Sequence, residues 1–154
     1  GAGVGLDGIF FQDHEMEITC IDLSPVMVEL CRKKGLTVHI MDVANLRFPE
    51  TSFDAVYSMN SLLHLPKTEF PNALREIDRV LKQEGLFYLG VYGGFDHEGI
   101  YKDDFMEPKR FFSYFSDERI QAEVVKFFNI LSFNAIIFTP IDPLHFQSLV
   151  LQKK

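Results

Sequence analysis

Three glycines alternate at the start of the chain, Gly1-Ala2-Gly3-Val4-Gly5, and Asp22 closes the apolar stretch Ile18-Thr19-Cys20-Ile21. That separation is near the ~20-residue interval at which a glycine turn and an acid serve one nucleotide. The glycines let backbone pass close under a ligand, and a carboxylate at the end of the next strand accepts hydrogen bonds from ribose hydroxyls. Asp42 closes a second apolar stretch, Val38-His39-Ile40-Met41, so two acids at strand ends suggest one ligand-binding edge. His64 and His97 are the candidates for proton transfer: His64 falls just after a strand's ligand end, and His97 lies in a long polar and aromatic segment. No set of residues has metal-ligand spacing, and no serine or cysteine is arranged as a nucleophile.

The elements that must position these groups are legible in turn. Leu6, Ile9, Phe10 and Phe11 give a short helix after the glycines. Ser24 is a helix N-cap with Pro25 at the first helical position, and Arg32-Lys33-Lys34 before Gly35 suit the negative end, which predicts a helix over 25–34. A polar loop with Pro49 leads to a strand over 53–58, whose Asp54, at the strand's start, reads as structural. From Thr68 the apolar positions Phe70, Ala73, Leu74, Ile77, Val80 and Leu81 follow helical spacing, closing at Gly85. The nearly continuous apolar run 86–92 reads as a strand buried on both faces. Residues 93–115 read as a long loop, a lid that carries acceptor specificity. Ser116 caps a further helix with Asp117 and Glu118 in its first turn. Strand-like runs over 129–139 and 145–152 are joined by Pro140-Ile141-Asp142-Pro143, too short for a parallel crossover, and so form an antiparallel hairpin. Phe10, Phe53 and Phe70 are assigned to the core, and His14 and His145 to the surface or the hairpin. Strands alternating with helices make an α/β sandwich.

The 154 residues suffice for one domain with a good core, and 47% hydrophobic with 14% aromatic residues excludes a disordered chain. A formal charge of -7 with dispersed lysines and arginines argues against a nucleic-acid partner and suits a cationic ligand. Cys20 and Cys31 form neither a CxxC pair nor a disulfide framework, so the expected location is the cytoplasm. The sequence has no apolar run of ~18 residues, and no membrane partner is expected.

Taken together, the chain resembles the class I S-adenosylmethionine-dependent methyltransferases, in particular their small-molecule branch. The resemblance rests on the glycine turn, Ile21-Asp22-Leu23-Ser24-Pro25, Asp42-Val43 with Leu46-Arg47-Phe48-Pro49, and Ser52-Phe53-Asp54-Ala55-Val56. It continues through Leu62-Leu63-His64-Leu65 and Glu76-Ile77-Asp78-Arg79-Val80-Leu81-Lys82 to Gly85, with the terminal hairpin as a topological mark. It implies a Rossmann-like three-layer sandwich with a mostly parallel sheet, and methyl transfer from S-adenosylmethionine to a small-molecule acceptor by in-line displacement, leaving S-adenosylhomocysteine. Gly1, Ala2, Gly3 and Gly5 would approach the methionine part, Asp22 with Leu23 and Ser24 the ribose, and Asp42 with Val43 the adenine. Met59 and Asn60 would lie beside the sulfonium. His64 or His97 would take a proton from a hydroxyl or amine acceptor.

The family's Pro-Gly-Gly before the fifth strand is Gln83-Glu84-Gly85 here, and its acid before the glycine turn would lie upstream of Gly1. Because a turn of this kind follows a buried strand, residues 1–154 are expected to form one domain, N-terminally incomplete, with the first central strand ahead of Gly1. Two other readings stand beside this one. A catalytically silent methyltransferase fold would bind without chemistry. An NAD(P)-dependent oxidoreductase would use Gly3-Val4-Gly5-Leu6-Asp7-Gly8 as its GxGxxG motif, but Asp7 in the first helical turn would repel a pyrophosphate.

Overall fold

The computed structural model describes residues 1–102, 104–138 and 143–154, and the chain divides into two compact units, Gly1–Arg47 and Phe48–Lys154. The first unit holds α1 (Leu6–Asp13), β1 (Cys20–Asp22), α2 (Pro25–Lys33) and β2 (Val38–Ile40), with β1 and β2 parallel. Ser24 caps α2 as its type predicts, its hydroxyl accepting from the Met27 N–H at 3.4 Å. Val28, Cys31, Leu36 and Val38 form the core, and Ala2, Ile9, Ile18 and Cys20 pack against it. Phe10 does not join them. Its side chain is 57% exposed and its ring lies against Phe11 and His14, because the buried side of so short a helix is taken by Gly8 and Ile9.

The second unit is built on a four-stranded sheet in the order β3 (Phe53–Met59), β4 (Leu81–Gly93), β8 (His145–Lys153), β7 (Phe128–Ile136). β3 and β4 are parallel, while β8 runs antiparallel to both β4 and β7. With β1–β2 the described strand pairs are therefore mixed, not mostly parallel as expected. In the segment joining β7 to β8, residues 139–142, and with them Pro140-Ile141-Asp142, lie outside the described residues. α3 (Phe70–Val80) buries Phe70, Ala73, Leu74, Ile77 and Val80, the stripe read from the sequence. Each of these side chains other than Ala73 contributes about 1.5 to 3 kcal/mol. α4 (Asp117–Val124) starts on Ser116, whose hydroxyl accepts from the Arg119 N–H, and buries Ile120 and Val124.

Two expectations are corrected in this unit. The helix ends at Val80 and not at Gly85: Leu81 is extended and pairs with Phe53, and Lys153 Nζ donates to the carbonyls of Asp78 and Leu81 at the helix end. Gly85 lies instead where the β3–β4 register shifts within β4, and a Cβ there would stand 2.8 Å from the Lys82 carbonyl oxygen. Residues 93–115 are not an irregular loop. They contain an antiparallel ribbon, β5 (His97–Ile100) and β6 (Phe111–Tyr114), that pairs His97 with Tyr114 and Ile100 with Phe111. The alternation in Phe111-Phe112-Ser113-Tyr114 is too short, and too aromatic on both faces, to announce a strand on its own.

His145 opens β8, in the hairpin to which it was assigned, and turns inward there. Its side chain is 12% exposed, with Nδ1 3.0 Å from the Pro143 carbonyl oxygen and Nε2 2.8 Å from Asp117 Oδ1. The same carboxylate oxygen accepts from Nε2 of Gln147 at 2.7 Å, and that fully buried amide also donates to the Phe115 carbonyl. Gln147 thus ties β8 to the start of α4 from inside the core. Gln147→Leu should lower stability by about 1 to 3 kcal/mol, because the buried Phe115 carbonyl loses the amide donor and Asp117 Oδ1 keeps only its contact with His145. Urea denaturation at neutral pH measures this, and an unchanged midpoint would show the amide to be dispensable.

Candidate functional site

Geometry in the first unit begins at residues 1–5. Ala2 N–H donates to the Ile21 carbonyl at 2.8 Å, and Gly5 N–H returns to the Ala2 carbonyl at 2.9 Å, so the glycine turn is hydrogen-bonded alongside β1. Gly3 and Gly5 have φ of 52° and 81°, left-handed values that cost a side-chain-bearing residue roughly 1 to 2 kcal/mol. Their surroundings differ. A Cβ on Gly5 would stand 2.7 Å from Leu36 Cδ1 and 2.9 Å from Cys31 Sγ, whereas a Cβ on Gly3 would meet nothing within 4 Å. Gly5 is therefore needed by the core, and Gly3 presents bare backbone to open space.

Asp22 holds this turn to the strand end. Its Oδ2 accepts from Gly3 N–H at 2.8 Å and its Oδ1 from Ser24 N–H at 2.9 Å. Each oxygen keeps further lone-pair capacity, so the brace leaves the carboxylate able to accept from a ligand. Leu23 is 62% exposed beside it. Asp42 is exposed and closes a tight turn by accepting from the Ala44 N–H at 2.9 Å, with Val43 half-buried inside that turn. Beneath the turn, Cys31 Sγ donates to the Gly3 carbonyl at 3.4 Å, and burial pushes the thiols of Cys20 and Cys31 up, which keeps both protonated. No basic side chain lies in the first turn of α1, and Asp7 does.

In the second unit, Met59 ends β3 with 38% exposure, and Asn60 follows at φ 52°, its N–H donating to the Gly90 carbonyl at 2.8 Å. The left-handed turn at Asn60 carries the chain off the strand into a 3-10 turn, Leu62–His64. Ser58, not singled out from the sequence, has a buried hydroxyl with no hydrogen-bond partner among the described residues. Its signal was its place at the ligand end of β3. His64 is half-buried, with Nδ1 2.8 Å from the Phe111 carbonyl oxygen, while His97 is exposed and stacks on Tyr114 at 6.4 Å between ring centroids. Ser113 Oγ adds a second link from β6, donating to the Leu65 carbonyl at 2.6 Å.

The ribbon is closed at its far end by Asp104, whose side chain is 1% exposed. Its carboxylate accepts from the Met106 and Arg110 N–H groups and from Nε and Nη2 of Arg110. The Arg110 guanidinium, aided by those two backbone N–H groups, holds the Asp104 carboxyl far below the usual carboxylate range. The guanidinium also sits over the rings of Phe105 and Phe112, each 5.2 Å away. Burial pushes the Tyr114 phenol up, so it stays an O–H donor. Among the described residues no cluster of three or more potential metal ligands occurs, and no helix is long and apolar enough to cross a membrane.

Two outcomes follow from this geometry. Gly5→Ala should destabilise by roughly 2 kcal/mol or more, from the backbone strain and the clash together, while Gly3→Ala should cost only about 1 kcal/mol. Equal midpoints in urea would contradict the difference in packing. Because the Asp104 carboxyl titrates lower in the fold than in the unfolded chain, its contribution is fully present above the unfolded value of ~3.9 and is lost as pH falls through the folded value. The stability gap between the protein and Asp104→Asn should thus be constant from pH 6 to 8 and shrink below about pH 4. A gap independent of pH would remove the ion pair from the account.

Comparison with known proteins agrees with these features. The profile of the methyltransferase domain family matches residues 1–89. A phthiotriol/phenolphthiotriol dimycocerosates methyltransferase from Mycobacterium leprae is 29% identical over 130 residues, covering 82% of this chain and 47% of that protein. The chain spans less than half the length of the curated relatives it matches, 47% of that protein and 32% and 17% of two others. Among solved structures, a SAM-dependent methyltransferase from Methanosarcina mazei superposes with a TM-score of 0.86 at 17% identity, over 99% of this chain and 89% of that one. The 1,6-didemethyltoxoflavin-N1-methyltransferase of Burkholderia thailandensis, solved with S-adenosylhomocysteine, gives 0.80 at 21% identity over 100% and 68%. With its glycine turn, the acid that braces it and a family match over more than half its length, the chain belongs to the class I S-adenosylmethionine-dependent methyltransferases.

Proposed function

We propose that the protein moves a methyl group from S-adenosylmethionine to a small-molecule acceptor, with residues 1–154 acting within one methyltransferase domain of the cytoplasm. The observation that carries this reading is the braced turn: Asp22 bonded to Gly3 and Ser24, with open space over Gly3 where a side chain would otherwise stand. Those residues fit the cofactor. The cation at the turn, Lys34, is engaged by the Val4 carbonyl at 2.5 Å, and Asp7 in the first turn of α1 opposes a pyrophosphate, which disfavours NAD(P). Gly1, Ala2, Gly3 and Gly5 are assigned to the methionine portion, and Asp22, Leu23 and Ser24 to the ribose. Asp42 and Val43 are assigned to the adenine, and Met59 and Asn60 to the surroundings of the sulfur. The cofactor supplies an electrophilic methyl group. The chain's own part is to orient the acceptor and exclude water, for which effective molarities of ~10⁵ M or more are attainable. His64 and His97 are the two groups able to take the acceptor's proton, a gain of typically ~10² to 10⁴. The free thiols of Cys20 and Cys31 support a reducing compartment.

The reading includes a strand ahead of Gly1. In support, β3 pairs on one side only among the described residues, and its Tyr57 and Met59 are 39% and 38% exposed, which leaves an apolar strand with an open edge. Calorimetry is therefore best run both on this chain and on one extended upstream by about 40 residues, roughly a strand with its connection. S-adenosylmethionine and S-adenosylhomocysteine should bind and NAD should not. Asp22→Ala, checked to be folded by circular dichroism, should weaken binding of the first two by roughly 1.5 to 3 kcal/mol. NAD binding, or a dissociation constant unmoved by the substitution, would overturn the assignment. Binding without turnover on a metabolite panel would instead identify a silent binder.

A further inference from the structure

The two histidines are not equivalent, and the difference names the acceptor's chemistry. The Phe111 carbonyl oxygen can only accept, so the His64 nitrogen 2.8 Å from it, Nδ1, must carry the hydrogen. In the neutral ring this leaves Nε2 with a free lone pair, and among the described residues Nε2 has no hydrogen-bond partner. His97 has neither anchor nor fixed tautomer. It is exposed and held only by stacking on Tyr114.

The His64 ring is also set in an aromatic wall. It meets Phe112 edge-on at 4.7 Å, Phe112 meets Tyr101 at 5.9 Å and Tyr114 at 5.8 Å, and Tyr114 meets Phe95 at 5.4 Å. Phe112, Tyr114 and His97 share one face of the ribbon, because residues two apart on a strand point the same way and His97 pairs with Tyr114. The cation touching this wall, Arg110, is already paired with Asp104, so the wall offers π-faces and phenol hydroxyls without free charge. Such a surface suits a neutral aromatic ring, which stacks or meets its neighbours edge-on.

We infer that His64 is the proton acceptor of the reaction and that the group it serves is an O–H or N–H on a small neutral aromatic or heteroaromatic molecule seated against Phe112 and Tyr114. The acceptor's O–H or N–H bond breaks, its electron pair stays on the heteroatom, and the proton forms an N–H bond at Nε2. The resulting imidazolium is held by the Phe111 carbonyl and gives the proton to solvent. This rests on the methyl-transfer reading, but it is tested without a methyl donor, so the two fail separately.

The probes are 4-methylphenol and toluene, which differ by the hydroxyl alone, with binding followed by NMR titration of the full chain. Long-range ¹H–¹⁵N correlation should show His64 with its hydrogen on Nδ1. 4-Methylphenol should bind about tenfold more tightly than toluene, the scale of one hydrogen bond, and should shift the Nε2 resonance. His64→Asn keeps a side-chain N–H for the Phe111 carbonyl and removes Nε2, so it should abolish the preference while leaving toluene binding in place. His64→Gln, which carries an amide out toward the Nε2 position, should restore part of it. A hydrogen on Nε2, a preference that survives His64→Asn in a folded protein, or failure of both probes to bind overturns the inference.

Discussion

One carboxylate fixes the glycine turn of the first unit. Asp22 takes the N–H of Gly3 on one oxygen and that of Ser24 on the other, so a single side chain fastens the glycine turn to the strand end and starts the helix that follows. Hydrogen bonds to a charged acceptor are among the stronger ones a fold can make, and here both donors are backbone groups that otherwise have no partner. The left-handed backbone at Gly3 and Gly5 is tolerable only because those residues are glycine, and it persists because Asp22 and the packing of Leu36 and Cys31 leave it no room to relax. The glycine turn and the start of α2 therefore depend on one side chain.

The second unit solves a different problem: the segment that leaves β3 has to be kept in place. β6 does this by crossing the 3-10 turn at two points, through the Phe111 carbonyl to His64 and through Ser113 to the Leu65 carbonyl. Its own far end is closed by the buried Asp104, and the start of α4 is fastened to β8 through Asp117 and Gln147. Burying these groups costs desolvation, which complete hydrogen bonding of the Asp104 carboxylate offsets. The result is a ribbon whose aromatic face is held by polar bonds beneath it, rather than a loop waiting to be ordered.

The family relationship and the geometry bear on different statements. Membership rests on the sequence match over residues 1–89, which stops short of the ribbon. The proposed acceptor site joins His64, inside that match, to Phe112 and Tyr114, beyond it, and rests on their contacts in this chain.

By itself the sequence determined the local and periodic features: the glycine turn with Asp22, the Ser24 and Ser116 caps, the buried stripe of α3, and the apolar strands. These are legible because each is set by residues within a few positions of one another, through backbone sterics, capping and amphipathic spacing. Only the tertiary structure decided the rest. The end of α3 was moved from Gly85 to Val80 by Lys153, which is distant in sequence and adjacent in space. Residues 93–115 became a ribbon because β5 found β6 across a turn fixed by the Asp104–Arg110 pair. His145 was drawn inward by Asp117, and Phe10 was left outside because a short helix has one buried side and smaller residues occupy it. The two histidines that looked alike as sequence were separated by a single long-range bond, since the hydrogen on His64 is fixed by a carbonyl 47 residues away.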